Sequence, residues 1–339
     1  MEISQLLLDL LSFVLKTGVI VAGFGIIMLI LSWASLNKAP ADHLKIEDWT
    51  EKWQSQSEAL QNFTLNEKEL KTLKKQAKKK SKDSEGQKKP NLFVLQFDGD
   101  LKASQAEGLK NEVTAILNVA DKSDEVLMIL NSPGGVVHGY GLAASELIRF
   151  RNQNIPLTVS LDQIGASGGY MMACTAHKII ASPFAIVGSI GVLSQVPNFH
   201  RLLKKNEIDY KEYTAGQHKT TVSLLAEITP EKETKFKEML QATHELFKNH
   251  IKQFRPQLDF DQVATGEYWY GTQALALGLV DEISTSQEFL LKKYSTHKIL
   301  FLKSEKKKKL SEKLMGMLLG WKSAPLEALG GSHPWDQIR

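Results

Sequence analysis

The amino-acid sequence predicts a layered α/β fold with parallel strands, preceded by an N-terminal transmembrane helix. Two patterns carry that expectation. One is an uncharged apolar stretch from Thr17 to Leu36, about as long as the ~20 residues that cross a bilayer as a helix. The other begins near residue 91. Short apolar runs, each closed by glycine or a polar turn, alternate there with helix-like segments, as strands and helices do in a parallel α/β core.

The chain has 339 residues, 42% of them hydrophobic and 24% charged, which suffices for a sizeable core. The formal net charge of +4 and the lack of interleaved aromatic and basic residues give no footprint for nucleic acid. The single cysteine, Cys174, excludes an internal disulfide and a cysteine metal cluster, and its apolar neighbours read it as a small buried hydrophobe.

The elements follow in order. In TGVIVAGFGIIMLILSWASL, Trp33 sits near one end, where an interfacial aromatic belongs. Glu2 and Asp9 precede the stretch, and it exceeds the ~7–15 apolar residues of a cleaved signal peptide, so residues 1–40 read as a retained anchor. Lys16, Lys38 and Lys45 do not decide which side the remainder occupies. Residues 41–70 read as an amphipathic helix, with Leu44, Trp49, Trp53, Leu60 and Phe63 spaced among charges. The lysine-rich run up to Pro90 reads as a solvated linker that closes a second unit, 41–90. Residues 91–300 form the main domain. Strands are expected at 92–97, 126–130 and 157–161, and helices at 109–119, 141–150, 170–176, 197–205 and 230–255. The remainder, 301–339, is a basic amphipathic tail that suits a partner helix, a membrane surface or the protein's own body.

Two glycine-rich turns carry the chemistry. Gly165-Ala166-Ser167-Gly168-Gly169 satisfies G-x-S-x-G between a strand and a helix, a turn that holds a serine hydroxyl up and exposed. Asn131-Ser132-Pro133-Gly134-Gly135 closes the preceding core strand. There the Gly135 N–H, with that of Gly168, can face a developing oxyanion. Each turn also has a plain structural reading, as a helix-entry turn. No histidine stands in a catalytic setting. His177 is too close to Ser167 along the chain, and His244, His250, His297 and His333 read as surface or structural.

The ordered set NSPGG, GASGGY, GSIGV and TAGQHK, followed by WYGTQALALGLVDEI, resembles the signal-peptide-peptidase A family of serine proteases, peptidase family S49, in its SohB-like branch. The resemblance covers roughly residues 91–300, and the anchor and lysine-rich linker fit that branch. It implies a ClpP/crotonase-like fold and a Ser–Lys dyad. Matched motif by motif, Ser167 is the nucleophile and Lys219 the general base. Ser189 orients the lysine through a hydrogen bond, and Gly135 and Gly168 supply the oxyanion N–H groups. His218 stands where most relatives carry tyrosine. The resemblance implies no metal or organic cofactor. It implies extended peptide or protein substrates, such as signal-peptide remnants or misfolded envelope proteins. It also implies an inner-membrane anchor in contact with lipid, a periplasmic catalytic domain and a homo-oligomer, leaving open whether one protomer or two supply the dyad. A free lysine titrates near ~10.4, so a lysine base needs a dry, uncharged setting, and the uncharged run Thr220–Leu225 suits one. Two other readings stay open at this point. One is a crotonase-type enzyme acting on acyl-CoA without need of Ser167. The other is a catalytically inactive membrane scaffold.

Overall fold

The computed structural model describes residues 2–36, 43–73, 75, 89–216 and 219–305. They divide between two compact units.

Among the described residues the N-terminal unit contains one helix, α1 (Glu2–Leu36). Its window Leu11–Met28 has a mean hydropathy of 2.0 and no buried residue, so it is long and apolar enough to cross a membrane. That window starts earlier than the stretch from Thr17 and admits Lys16. Inside it the Thr17 hydroxyl donates to the Phe13 carbonyl at 2.8 Å, so this polar group is satisfied within the helix.

The second unit, Leu44–Ser304, is the α/β body, and it is wider at both ends than 91–300. Among the described residues its main sheet has seven strands: β1 (His43–Asp48), β2 (Asn91–Asp98), β3 (Glu125–Asn131), β4 (Leu157–Leu161), β6 (Lys178–Ala181), β9 (Glu282–Ile283) and β10 (Lys298–Glu305). They lie in the order β1-β10-β2-β3-β4-β6-β9. From β10 through β9 every pairing is parallel. Strands β5 (Ile164–Ala166), β7 (Ile186–Gly188) and β8 (Tyr268–Tyr270) make a second, three-stranded sheet.

Burial on both faces explains why the parallel strands read as continuous apolar runs. Along β2, Phe93, Leu95 and Phe97 enter the larger core cluster. Leu92 and Val94 point the other way into the smaller one. The larger cluster is closed by α3 (Ala106–Leu117), α4 (Val137–Asn152), α5 (Gly168–Ala173) and the far end of α7 (Pro230–Phe254). The smaller face is covered by α2 (Trp49–Thr64) and α8 (Ser286–Tyr294). Trp49 stacks on Phe301 with centroids 4.6 Å apart, and Trp53 lies 6.0 Å from Tyr294.

Three sequence expectations change in detail. The amphipathic reading of 41–70 splits, because residues 43–48 pair as β1 before α2 starts on its Asp48 cap. The segment expected helical at 197–205 is helical only as α6 (His200–Lys205). Residues 301–305, read as the start of the tail, belong to β10, which pairs β2. The basic tail beyond Glu305, the linker core 76–88 and His218 lie outside the described residues.

Candidate active site

The site forms where the two sheets meet, past the C-terminal end of β3, where open α/β sheets present their loops to ligands. Both glycine-rich turns converge there because they are laced to each other. The Ser132 N–H donates to the Ile164 carbonyl at 2.8 Å, and the Ala166 N–H donates to the Ser132 carbonyl at 3.0 Å. The third motif joins them, since the Ser167 N–H donates to the Gly188 carbonyl at 2.8 Å.

Ser167 caps the short α5 with φ 51° and ψ −118°, a region that L-residues enter at a cost of ~1–3 kcal/mol. This is the strand-to-helix elbow that the G-x-S-x-G spacing predicts, and it leaves the serine half-buried. Gly134 passes directly beneath it at φ +93°. A Cβ on Gly134 would lie 2.7 Å from both the Gly168 nitrogen and Ser167 Cβ, so only glycine lets the two turns approach this closely. Among the described residues, neither the Gly135 N–H nor the Gly168 N–H has a hydrogen-bond partner. The Gly134 N–H, by contrast, is taken by Ser132 Oγ at 3.1 Å.

The second half of the expected dyad is arranged differently. Ser189 follows β7 with φ 50°, and its N–H donates to the Glu267 carbonyl at 2.7 Å. Its hydroxyl donates to the Gly266 carbonyl at 3.4 Å, and among the described residues it makes no hydrogen bond to Lys219. Lys219 lies on an arm, residues 191–216 and 219–229 among the described ones, that follows β7 and leads into α7. The lysine is exposed, with no side-chain hydrogen bond or ion pair among the described residues. Among the described residues, backbone hydrogen bonds tie the turns of Ser167 and Gly135 together, and no hydrogen bond or ion pair links Lys219 to either serine. The physical reason is the arm's sparse packing. Leu193 (78% exposed), Phe199, Leu202, Tyr213 (89%) and Leu224 all face solvent. The arm is held chiefly to itself, through Phe199 N–H to Leu224 carbonyl at 2.7 Å and Asn198 Nδ2 to Ser223 and Ala226 carbonyls.

The other candidate groups are occupied structurally. His244 Nε2 donates to the Ile190 carbonyl and His250 Nε2 to the Met171 carbonyl, clipping α7 to the body. His297 is buried against Glu125. Burial pushes the Cys174 thiol well above its ordinary range, so it stays a buried thiol, its Sγ–H on the Met171 carbonyl. Among the described residues no group of three or more His, Cys, Asp or Glu is placed to hold a metal. A cavity of about 520 Å³ lies at the opposite ends of the strands, between Asp48, Asn91, His297 and Lys298, away from Ser167.

Sequence reasoning misses Tyr140. It is fully buried, its ring lies against Gly168, and its hydroxyl is 2.6 Å from Ser132 Oγ. A lone tyrosine near the head of a helix carries no local signal for such a contact.

A serine lifted on an elbow above two unpartnered N–H groups is the arrangement of an acyl-transfer hydrolase, and the comparisons place the chain among peptidases. The peptidase family S49 model matches residues 149–299 and the S49 N-terminal model matches residues 5–147; the chain belongs to peptidase family S49. It is 46% identical over 302 residues to a probable protease SohB of Haemophilus influenzae, covering 85% of this chain and 86% of that one. A probable protease SohB of Buchnera aphidicola from Acyrthosiphon pisum is 51% identical over 225 residues, covering 66% and 67%. Among solved structures, the 1510-N membrane-bound stomatin-specific protease with a bound substrate peptide superposes at a TM-score of 0.42 and 13% identity, covering 69% of this chain and 100% of that one.

Proposed function

We propose that the chain is a membrane-anchored serine endopeptidase whose general base, Lys219, is brought to Ser167 by assembly of two or more copies. The strained Ser167 elbow, facing the free N–H groups of Gly135 and Gly168, carries this reading. In this reading Ser167 is the nucleophile and the two N–H groups form the oxyanion hole. Neutral Lys219 takes the Ser167 proton as Oγ attacks the scissile carbonyl. The two N–H groups receive the oxyanion, and the lysine proton passes to the leaving amine. Water, deprotonated by the same lysine, then hydrolyses the acyl-enzyme.

A lysine acts as a base only in a dry setting. The arm carries Lys219 amid uncovered apolar side chains, and a neighbouring copy packed on that arm would supply the missing cover. Ser189 would then orient the amine. Substrates in this reading are extended peptides, signal-peptide remnants or misfolded envelope proteins. The helix α1 lies in the inner membrane, with the body on the periplasmic side.

The test uses detergent-solubilised full-length chain, fluorophosphonate labelling and peptide cleavage. Wild type should label and cleave, while Ser167→Ala and Lys219→Ala should each lose cleavage by on the order of 10³-fold or more. Mixing the two inactive variants should restore part of the activity if serine and lysine come from different copies. Labelling that survives both substitutions would falsify the dyad. Protease accessibility in intact cells and spheroplasts checks the sidedness.

A further inference from the structure

The geometry points to Tyr140 as a positioning residue that sets both donors of the oxyanion hole, through its ring on one side and through Ser132 on the other. This inference rests on the serine-peptidase reading above.

Tyr140 Oη meets two partners, the Asp100 carbonyl at 2.9 Å and Ser132 Oγ at 2.6 Å. A phenol has one proton, and a carbonyl can only accept, so Tyr140 donates to Asp100. The Ser132 hydroxyl must then donate to Tyr140 Oη. Its own oxygen accepts the Gly134 N–H at 3.1 Å. The chain of bonds has a single direction: Gly134 N–H to Ser132, Ser132 to Tyr140, Tyr140 to the Asp100 carbonyl. Tyr140 and Ser132 are both fully buried, so neither hydroxyl has water as an alternative. Burial also pushes the Tyr140 phenol above its ordinary range, which keeps the donating proton in place.

This chain decides which N–H groups face the reacting carbonyl. Ser132 takes the Gly134 N–H, and among the described residues the Gly135 N–H of the same turn is left unpartnered. The same loop is fixed from below by the Val136 N–H on the Leu101 carbonyl at 2.8 Å. On the other side the Tyr140 ring packs on the peptide carrying the second donor. A Cβ added to Gly168 would stand 2.4 Å from Tyr140 Cγ. One side chain therefore gauges the separation between the two donors, and each donor is effective only at about 2.7–3.1 Å from the oxyanion.

The experiment compares Tyr140→Phe, Ser132→Ala and the double variant in the full-length chain, with kinetics normalised to fluorophosphonate-labelled sites so that misfolded protein does not count. Tyr140→Phe keeps the ring and removes the hydroxyl; Ser132→Ala removes the link to Gly134 and stands in should Tyr140→Phe fold poorly. Each should lower kcat about tenfold with KM within about twofold, and the double variant should fall no further than the worse single, because the pair acts as a unit. Inhibition by a peptide aldehyde, whose adduct places an oxygen in the hole, should weaken in parallel with kcat/KM, whereas a merely structural role would move only the labelled fraction and the melting temperature. The proposal is overturned if kcat and aldehyde affinity stay within twofold of wild type, or if KM alone changes, while Ser167→Ala is inactive. If Ser167→Ala still cleaves, the serine reading itself fails and takes this inference with it.

Discussion

The turn around Ser167 and the arm around Lys219 are built from similar residues in opposite states. The turn sits among fully buried neighbours, Ala166, Tyr170 and Ser132, and three backbone hydrogen bonds between motifs fix it. The arm turns apolar side chains to solvent and bonds mainly to itself. One half of the candidate site is therefore folded in the single chain, strain included, and the other half is sparsely packed among the described residues. Strain at φ 51° persists only where the surroundings over-determine it, so the rigid half can hold a nucleophile that the arm could not. With so little buried, the arm is expected to open at low free-energy cost, as the proposed assembly requires of a segment that a second copy would cover.

The largest effect should come from the rigid half. Gly134→Ala forces a Cβ against the Gly168 nitrogen and Ser167 Cβ at a positive φ, so kcat/KM per folded molecule should fall on the order of 10²-fold or more, measured by peptide cleavage. A milder loss would mean that the turn is less rigid than its packing implies.

On the arm, the double substitution Tyr213→Ser with Leu224→Ser should lower activity by roughly tenfold and shift the particle toward monomer in light scattering. Calorimetric melting of the body should stay unchanged, because surface positions contribute little to folding. Hydrogen exchange should be faster across 199–226 than across β3 and β5. A drop in body stability instead would show that the arm is part of the core.

Ser167→Gly sharpens the strain argument. It removes the side chain from the positive-φ position and should stabilise the body by about 1 kcal/mol, read by denaturant unfolding, while abolishing fluorophosphonate labelling.

The smallest effect concerns the clip between α7 and the body. Burial holds His250 below the ordinary imidazole range. Below about pH 6.5 the unfolded chain therefore takes up a proton that the folded chain still refuses, so stability falls as pH falls through that window. The melting temperature should drop between about pH 7 and 5.5, and His250→Gln should show a shallower drop from a lower starting point.

The parallel core, both glycine-rich turns and the positions of Ser167, Gly135 and Gly168 were legible in the sequence. Each rests on a local rule: apolar runs for strands buried on both faces, and G-x-S-x-G or two glycines where a turn leaves a strand. Trp49 and Trp53 were legible only as apolar residues on a helix ahead of a linker. Their stacking on Phe301 and Tyr294, from the far end of the chain, is a long-range contact with no local signature. The β1 strand was hidden for the same reason, since HLKIED pairs only because β10 is there to receive it.

What the sequence alone determined is therefore the set of elements and turns, because backbone preference and hydrophobic period act within a few residues. Only the tertiary structure decided that Tyr140 reaches Ser132 and Gly168, that the histidines clip helix to sheet, and that Lys219 stands exposed on an arm. Those outcomes depend on which surfaces meet after the chain has folded, and burial of a side chain is a property of its neighbours in space.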